Sequence, residues 1–192
     1  MRGRFKRIGF WAAVTVLMCN ASAEASLTAS ATLSTNQTSA PFNYTVTLHN
    51  TGTTNIGSFW LGWIFGEDFL PTTPTNILKP TGWSAALNGG GAGDGHSIEF
   101  VDGGTLLAPG ASLAGFGFTS NDTPAQLAAK SPFFTSTPAT TSFVYGGAPL
   151  SDAGFQFVVT VVPEPSSLLL AAVLSLLSTT ILWRMRSISI RQ

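Results

Sequence analysis

The fold of this chain is decided by residues 42–49, Phe-Asn-Tyr-Thr-Val-Thr-Leu-His, in which apolar and polar side chains alternate. A period of two places all the apolar side chains on one face of a β-strand. The same alternation runs through Leu27–Ser34 and through Phe155–Val162. All three segments are therefore predicted to be strands with one buried face.

Further strands are predicted between these segments. Ile56–Phe65 is apolar on both faces, which predicts a central strand covered on both sides, with Trp60 and Trp63 pointing in opposite directions. Four more strands and one helical turn are predicted at Trp83–Leu87, His96–Val101, Ser112–Thr119, Ser142–Tyr145 and Pro124–Lys130. About eight strands, separated by turns rich in Gly, Asn and Pro, predict an all-β fold, a single β-sandwich of immunoglobulin-like or jelly-roll type at residues 26–161.

The charged residues are sorted by position, although nine basic residues balance nine acidic ones over the 192 residues. All six arginines lie near the two ends of the chain. Residues 26–162 contain two lysines and seven acidic residues, a net charge of −5. A middle segment with this charge cannot neutralise phosphates, so nucleic acid is excluded as a partner.

Few residues are suited to metal binding or catalysis. Cys19 is the only cysteine, and His49 and His96 are the only histidines. Residues 26–162 therefore have no disulfide and no cysteine metal site. We predict no cofactor, no catalytic residue and no enzyme activity.

The N-terminal end has the pattern of a secretory signal peptide at residues 1–25. Four basic residues precede the apolar run Ile8–Cys19, and small residues follow it. Cleavage is predicted after Ala23 or Ala25. The alternative is an uncleaved anchor.

The C-terminal end has the pattern of a membrane anchor. Residues 167–183 carry no charge, and as a helix they extend about 26 Å, which is enough to span a bilayer. A basic tail at residues 184–192 follows, with Arg184, Arg186 and Arg191 as stop-transfer charges that stay in the cytoplasm. Both ends therefore place the residues between them outside the cytoplasm, with the C-terminal helix as an inner-membrane anchor.

A proline-rich motif stands directly before this helix, at residues 162–166: Val162, Pro163, Glu164, Pro165 and Ser166. The two prolines keep it extended and free of helix or strand pairing. Motif, apolar helix and basic tail at residues 162–192 together resemble the PEP-CTERM sorting signal of exported bacterial proteins. The resemblance implies processing by an exosortase after transient anchoring in the inner membrane. It also implies that the processed protein is located at the cell surface or outside the cell, where it associates with exopolysaccharide and biofilm. The alternative is a simple proline hinge between domain and anchor.

Two short stretches of the middle segment carry a second resemblance. Val46–Gly52 and Leu107–Ser112 are similar to strand-and-turn motifs of immunoglobulin-like domains on bacterial surface proteins. Within the second stretch, Pro109 and Gly110 suit the two central positions of a type II turn.

The acidic residues of the middle segment form no evident catalytic pair. Glu67 and Asp68 are adjacent, which predicts a solvated loop, and the glycine-rich run Asn88–Gly95 predicts a hairpin loop. Asp94 and Asp102 flank the strand predicted at His96–Val101, and as a hypothesis they contribute to a Ca²⁺ site.

Three functional classes follow from these observations. The preferred one is a non-enzymatic structural or interaction module of the cell surface or extracellular matrix, associated with exopolysaccharide. A carbohydrate-binding module would need exposed aromatic rings, for which Trp83 is the best candidate. A glycan-processing enzyme would need opposed carboxylates, such as Glu99 facing Asp122.

Overall fold

The computed structural model describes residues 25–162, and this part of the chain is built almost entirely of β-strands. The elements are β1 Ala29–Ser34, β2 Phe42–Asn50, β3 Ser58–Leu61, β4 Trp63–Ile64, β5 Glu67–Asp68, β6 Thr75–Leu78, β7 Trp83–Gly89, β8 His96–Asp102, β9 Ser112–Ser120, α1 Pro124–Ala128, β10 Thr141–Tyr145, β11 Phe155–Val158 and β12 Thr160–Val162. The predicted all-β class is confirmed. The signal peptide (except Ala25) and the sorting signal (except Val162) lie outside the described residues.

The strands form two five-stranded sheets and a two-stranded ribbon. The first sheet has the order β12-β1-β2-β9-β6, and the second has the order β11-β10-β3-β8-β7. All neighbouring strands are antiparallel, except β12 and β1, which run parallel. The ribbon, β4 and β5 with their connecting turn, extends from the end of β3. The two sheets pack face to face, as the alternating sequence pattern predicts for a sandwich.

The core between the sheets is aromatic at its centre. Phe116 of the first sheet meets Phe59, Trp83 and Phe100 of the second, with ring centroids 5.7, 5.2 and 4.9 Å away. All three contacts are edge-to-face, the arrangement that aromatic quadrupoles favour. These four residues, the inner aromatic cluster, hold the two sheets together.

The three alternating segments lie as the sequence predicts. Ala29, Ala31 and Leu33 of β1 are buried, and so are the four apolar residues of β2. The last segment pairs with the second sheet up to Val158 and with the first sheet from Thr160, because the chain changes sheets at the buried residue Val159.

The predicted central strand Ile56–Phe65 is interrupted at Gly62. This glycine has φ +70°, a left-handed conformation that glycine adopts without a Cβ clash. The chain bends there, so Trp60 and Trp63 lie on the same side, with ring centroids 4.1 Å apart. The prediction that they point to opposite faces was wrong, because a period of two holds only while the strand continues.

Two short strands differ from the sequence prediction, whereas one predicted turn agrees with it. β5 and β6 were not predicted, since neither shows an alternation of buried and exposed apolar residues. The predicted type II turn at Pro109 and Gly110 agrees with φ +73° at Gly110 and with a 3.1 Å hydrogen bond from Ala111 N–H to the Ala108 carbonyl.

A buried network joins the end of β9 to the rest of the sandwich. The Tyr44 hydroxyl donates to the Asp122 carbonyl oxygen at 2.6 Å. The Asp122 carboxylate accepts from the Thr72 N–H, the Thr72 hydroxyl and the Ser120 hydroxyl at 3.1, 2.9 and 3.0 Å. Thr123 and Gln126 then form the capping box of α1, whose last residue is Ala128. Within residues 25–162 no helix has the length and apolar character needed to span a membrane.

Candidate functional site

Trp83, the residue predicted to stack on sugars, lies in the inner aromatic cluster. Only 4% of its surface is exposed, and its indole packs edge-on against Phe116. Its position in β7 faces the first sheet, because the neighbouring positions Ser84 and Ala86 take the outward face. Trp83 therefore has no free ring face in this fold, and the prediction of a sugar platform at this residue is corrected.

A second group of aromatic rings lies on the outer face of the second sheet, the face turned away from the first sheet. We call Trp60, Trp63, Phe65, Phe143 and Tyr145 the outer aromatic cluster. Trp63 is its centre, with ring centroids 4.1 Å from Trp60, 6.0 Å from Phe143 and 6.5 Å from Phe65. Phe143 and Tyr145 continue the row at 5.4 Å.

Local structure explains this grouping. Trp60 and Phe143 are direct cross-strand partners in β3 and β10, and the bend at Gly62 folds Trp63 back over both. The turn of the ribbon then carries Phe65, which is 78% exposed. Trp60 and Phe143 are half-buried, whereas Trp63 and Tyr145 are buried. Sequence reasoning missed the cluster, although a glycine between two tryptophans was a visible signal of a break.

Asp68 is buried, contrary to the prediction of a solvated loop. It lies in β5 opposite Trp63, and 9% of its surface is exposed. Burial raises the pKa of its carboxyl group, the hydroxyl of Ser97 lowers it, the charge of Asp94 raises it and that of His96 lowers it. Asp68, Asp94 and the start of β8 thus meet at one end of the second sheet.

Asp94 and Asp102 do not come together, so they cannot share a Ca²⁺ ion as hypothesised. Asp94 lies just before β8, and Asp102 is the last residue of this seven-residue strand. The length of the strand separates the two side chains by roughly 20 Å, at about 3.3 Å per residue. Asp102 accepts a hydrogen bond from the Thr105 N–H in its own turn. In residues 25–162 no group of three His, Cys, Asp or Glu side chains is arranged to hold a metal ion.

The acids considered for glycan hydrolysis are also separated. Glu99 lies on the outer face of the second sheet, opposite Trp60 in the neighbouring strand. Asp122 follows β9 of the first sheet, and its carboxylate is hydrogen-bonded to Thr72 and Ser120 in the buried network. This pair does not form the facing arrangement of two carboxylates across a scissile bond.

An open cleft of about 700 Å³ lies where the described chain begins, lined by Ala25, Leu27, Thr53, Thr54, Asn55, Leu106, Gly146, Asp152, Ala153 and Gly154. Its carboxylate, Asp152, accepts from the Gly146 and Gly154 N–H groups, each at 2.7 Å. Asp152 therefore holds the loop between β10 and β11 in place.

The comparisons with known proteins give little guidance. No family model matches the sequence, and no curated protein matches it. Among solved structures, the chain is similar to a GH20 exo-β-N-acetylglucosaminidase from Vibrio harveyi. The TM-score is 0.35 with 15% identity for an inactive variant, and 0.36 with 14% identity for the complex with N-acetylglucosamine. Each match covers 70% of this chain and only 18% of the enzyme. Similarity at this level supports no inference about function.

Proposed function

We propose that this chain is an exported, non-enzymatic module of the cell surface or extracellular matrix that contacts exopolysaccharide through the outer aromatic cluster. The observation that carries the proposal is the exposure of Phe65, whose ring packs against Trp63, the ring that also contacts the half-buried Trp60 and Phe143. Exposed aromatic rings are costly in water and offer a flat apolar surface to the apolar face of a sugar ring.

The surroundings of the cluster suit a polar, uncharged ligand. Glu99 lies beside Trp60 and supplies an acceptor for sugar hydroxyl groups. Ser84 and Gln156 are exposed on the same outer face and add neutral hydrogen-bonding groups. Many weak hydrogen bonds around a few stacked rings are a common way to hold a hydrated polymer.

We also propose that the two ends of the chain direct its export and processing. Val162 is the last residue of β12, an edge strand, and 42% of its surface is exposed. The motif Pro163-Glu164-Pro165 thus begins where an accessible sheet edge ends, a suitable position for an exosortase to reach it.

The position of the N-terminal cleavage site is also compatible with export. Ser26 donates its N–H to the Thr53 hydroxyl at 2.8 Å, and its carbonyl accepts from the Thr53 N–H at 2.8 Å. A cut after Ala23 or Ala25 therefore keeps Ser26 and its contacts with Thr53 in the exported product.

The test uses the exported product from its host. Its intact mass should lack residues 1–23 or 1–25 and also the C-terminal helix, and titration with the host's exopolysaccharide should change its tryptophan fluorescence. Phe65→Ala should abolish most of this change, since it removes the exposed ring. Leu78→Ala is the control, because Leu78 is 58% exposed but belongs to the first sheet.

Three results would contradict the proposal. A retained C-terminal helix would reduce the proline motif to a hinge. Equal polysaccharide binding by wild type and Phe65→Ala would remove the outer aromatic cluster from the interaction. Loss of binding to lipid vesicles in Phe65→Ala, without any effect on polysaccharide, would instead make the cluster a contact with the membrane interface.

A further inference from the structure

Buried polar atoms without a hydrogen-bond partner are concentrated on one side of the molecule. Seven side chains of residues 25–162 have such an atom: Ser58, Trp60, Asp68, Trp83, Asn88, Ser97 and Thr141. By strand register, Trp83 alone faces the inner core, and the others lie on the outer face of the second sheet or on the ribbon above it. Since buried polar groups are normally satisfied, these atoms call for a partner that supplies hydrogen bonds or charge.

Three of these side chains, Asp68, Asn88 and Ser97, lie where the ribbon crosses the hairpin of β7 and β8. Asn88 and Ser97 are direct cross-strand partners on the outer face. The Ser97 hydroxyl is close enough to Asp68 to affect its pKa, yet neither the Asp68 Oδ1 nor the Ser97 Oγ has a hydrogen-bond partner. Asp68 is nine-tenths buried and Ser97 is fully buried.

Asp94 adds a second carboxylate to the same place. Its Oδ1 accepts from the Asp68 N–H and the Gly95 N–H, both at 2.9 Å, which fixes Asp94 beside Asp68. A Cβ atom at Gly89 would lie 2.8 Å from the Asp68 Oδ2, so the glycine is what admits the carboxyl group. Two acidic side chains are thus held together by backbone groups.

Among residues 25–162, no fixed cation balances these two carboxylates. The only lysines or arginines in residues 26–162 are Lys79 and Lys130, and neither is among the groups that shift the pKa of Asp68. The imidazole of His96 is the one basic group that does, and its Nε2 is within 2.9 Å of the Thr73 hydroxyl. A buried carboxyl group such as Asp68 beside a second, half-buried carboxylate is unfavourable without a cation.

We infer that Asp68, Asn88, Asp94 and Ser97 form a Ca²⁺ site that ties the ribbon to the hairpin of β7 and β8. Ca²⁺ accepts carboxylate, amide and hydroxyl oxygens in irregular geometry, whereas Mg²⁺ demands a regular octahedron. A half-turn of the Asn88 amide places its Oδ1 where the unpartnered Nδ2 lies, because the two orientations have the same shape. Oxygen ligands of this kind are the ones that Ca²⁺ prefers.

The ligand set also predicts the affinity. Two carboxylates and two neutral side chains are a weak set, and extracellular modules commonly bind Ca²⁺ with Kd of roughly 10⁻⁴–10⁻³ M. The inference does not depend on polysaccharide binding. Because Trp63 is the cross-strand partner of Asp68, bound Ca²⁺ would also fix the ribbon that carries the outer aromatic cluster.

Thermal unfolding of the exported protein, with EDTA or with millimolar CaCl₂ or MgCl₂, tests the inference. Wild type should gain several degrees in Tm with Ca²⁺ and much less with Mg²⁺. Asp68→Asn should lose the gain. Glu67→Gln should keep it, because Glu67 lies on the same strand but on the opposite face of the ribbon. Tb³⁺ should show luminescence excited through the nearby tryptophans, and Ca²⁺ should displace it.

Ser97→Ala keeps the inference testable if Asp68→Asn does not fold, since it removes only one hydroxyl group. This variant should fold and need a higher Ca²⁺ concentration for the same gain in Tm. Wild-type Tm that is unaffected by Ca²⁺ would overturn the inference and leave water as the occupant. An equal gain in wild type, Asp68→Asn and Ser97→Ala, or an equal gain with Mg²⁺, would overturn it too.

Discussion

The inner and outer aromatic clusters share a strand but have opposite surroundings. Phe59 and Trp60 are adjacent in β3, and the first joins the core while the second joins the outer face. Phe59, Phe100 and Phe116 have no exposed surface, whereas the outer cluster ends in Phe65 at 78% exposure. The difference teaches that aromatic content alone does not indicate a binding surface, since coverage by a second sheet turns the same residue types into a core.

Burial beneath the first sheet also determines how much each aromatic cluster contributes to the stability of the fold. Full burial of a large apolar side chain stabilises a fold by about 1.5–3 kcal/mol relative to exposure. The inner rings contribute in this way to holding the sheets together. An exposed ring such as Phe65 contributes little to folding and remains available to a ligand.

The largest effect is expected from Phe116→Ala. This change removes the ring that contacts Phe59, Trp83 and Phe100, so it leaves a cavity between the sheets. We expect a loss of about 3–5 kcal/mol in the free energy of unfolding, measured by urea denaturation. Phe65→Ala makes the same chemical change on the surface and should cost within about 0.5 kcal/mol. Similar losses in both variants would show that the two clusters are not distinct in their burial.

A smaller effect is expected from Gly62→Ala, at the bend that separates the clusters. Alanine at φ +70° is strained, and its Cβ would lie 2.6 Å from the Leu70 Cγ. We expect a cost of about 1–3 kcal/mol and loss of the circular-dichroism couplet from the Trp60–Trp63 pair.

Gly66→Ala is the matched control for that bend. Gly66 has φ +82°, but a Cβ there would meet nothing within 4 Å. Backbone strain acts in both variants, so the difference between them measures the contact with Leu70. An unchanged couplet in Gly62→Ala would show that the bend does not depend on glycine.

The smallest effect is expected from pH, through the two tyrosines of the chain. Burial and then the charge of Asp122 raise the pKa of Tyr44 above the ordinary 10.0, and burial and then Asp152 raise that of Tyr145. Below pH 10 both groups are neutral in the folded and unfolded states, so their contribution to stability is constant. As pH rises past 10, only the unfolded chain ionises, and stability falls.

Tyrosinate absorbance of the native and denatured protein measures these pKa values directly. The native protein should titrate above the denatured one, because burial raises the pKa of both tyrosines. A native titration at the ordinary pKa for one tyrosine would mean that water reaches it. For Tyr145 this would extend the exposed part of the outer aromatic cluster.

Most strands could be predicted because they depend on local alternation. β1, β2 and β11 have apolar side chains at every second position, and the side chains of a strand point alternately to its two faces. β5 and β6 could not be predicted in the same way. Two residues are too few to show a period, and β6 lies at an exposed sheet edge where no face has to be apolar.

The candidate sites were harder to predict because they combine distant segments. The sequence suggested that the Trp83 ring is exposed, but whether it is exposed or buried depends on which face of β7 the first sheet covers. Asp68 looked solvated, but the bend at Gly62 folds its ribbon over Ser97, 29 positions further along the chain. Neither fact follows from residues nearby in sequence.

The sequence by itself determined the all-β class, the face of each alternating strand that is buried, and the acidic, arginine-free character of residues 26–162. These depend on the repeat of the backbone and on composition, which any local segment carries. Only the tertiary structure decided which aromatic rings are enclosed and that the buried Asp68 meets the half-buried Asp94. Those outcomes depend on contacts between segments far apart in the chain, which form only when the two sheets and the ribbon pack together.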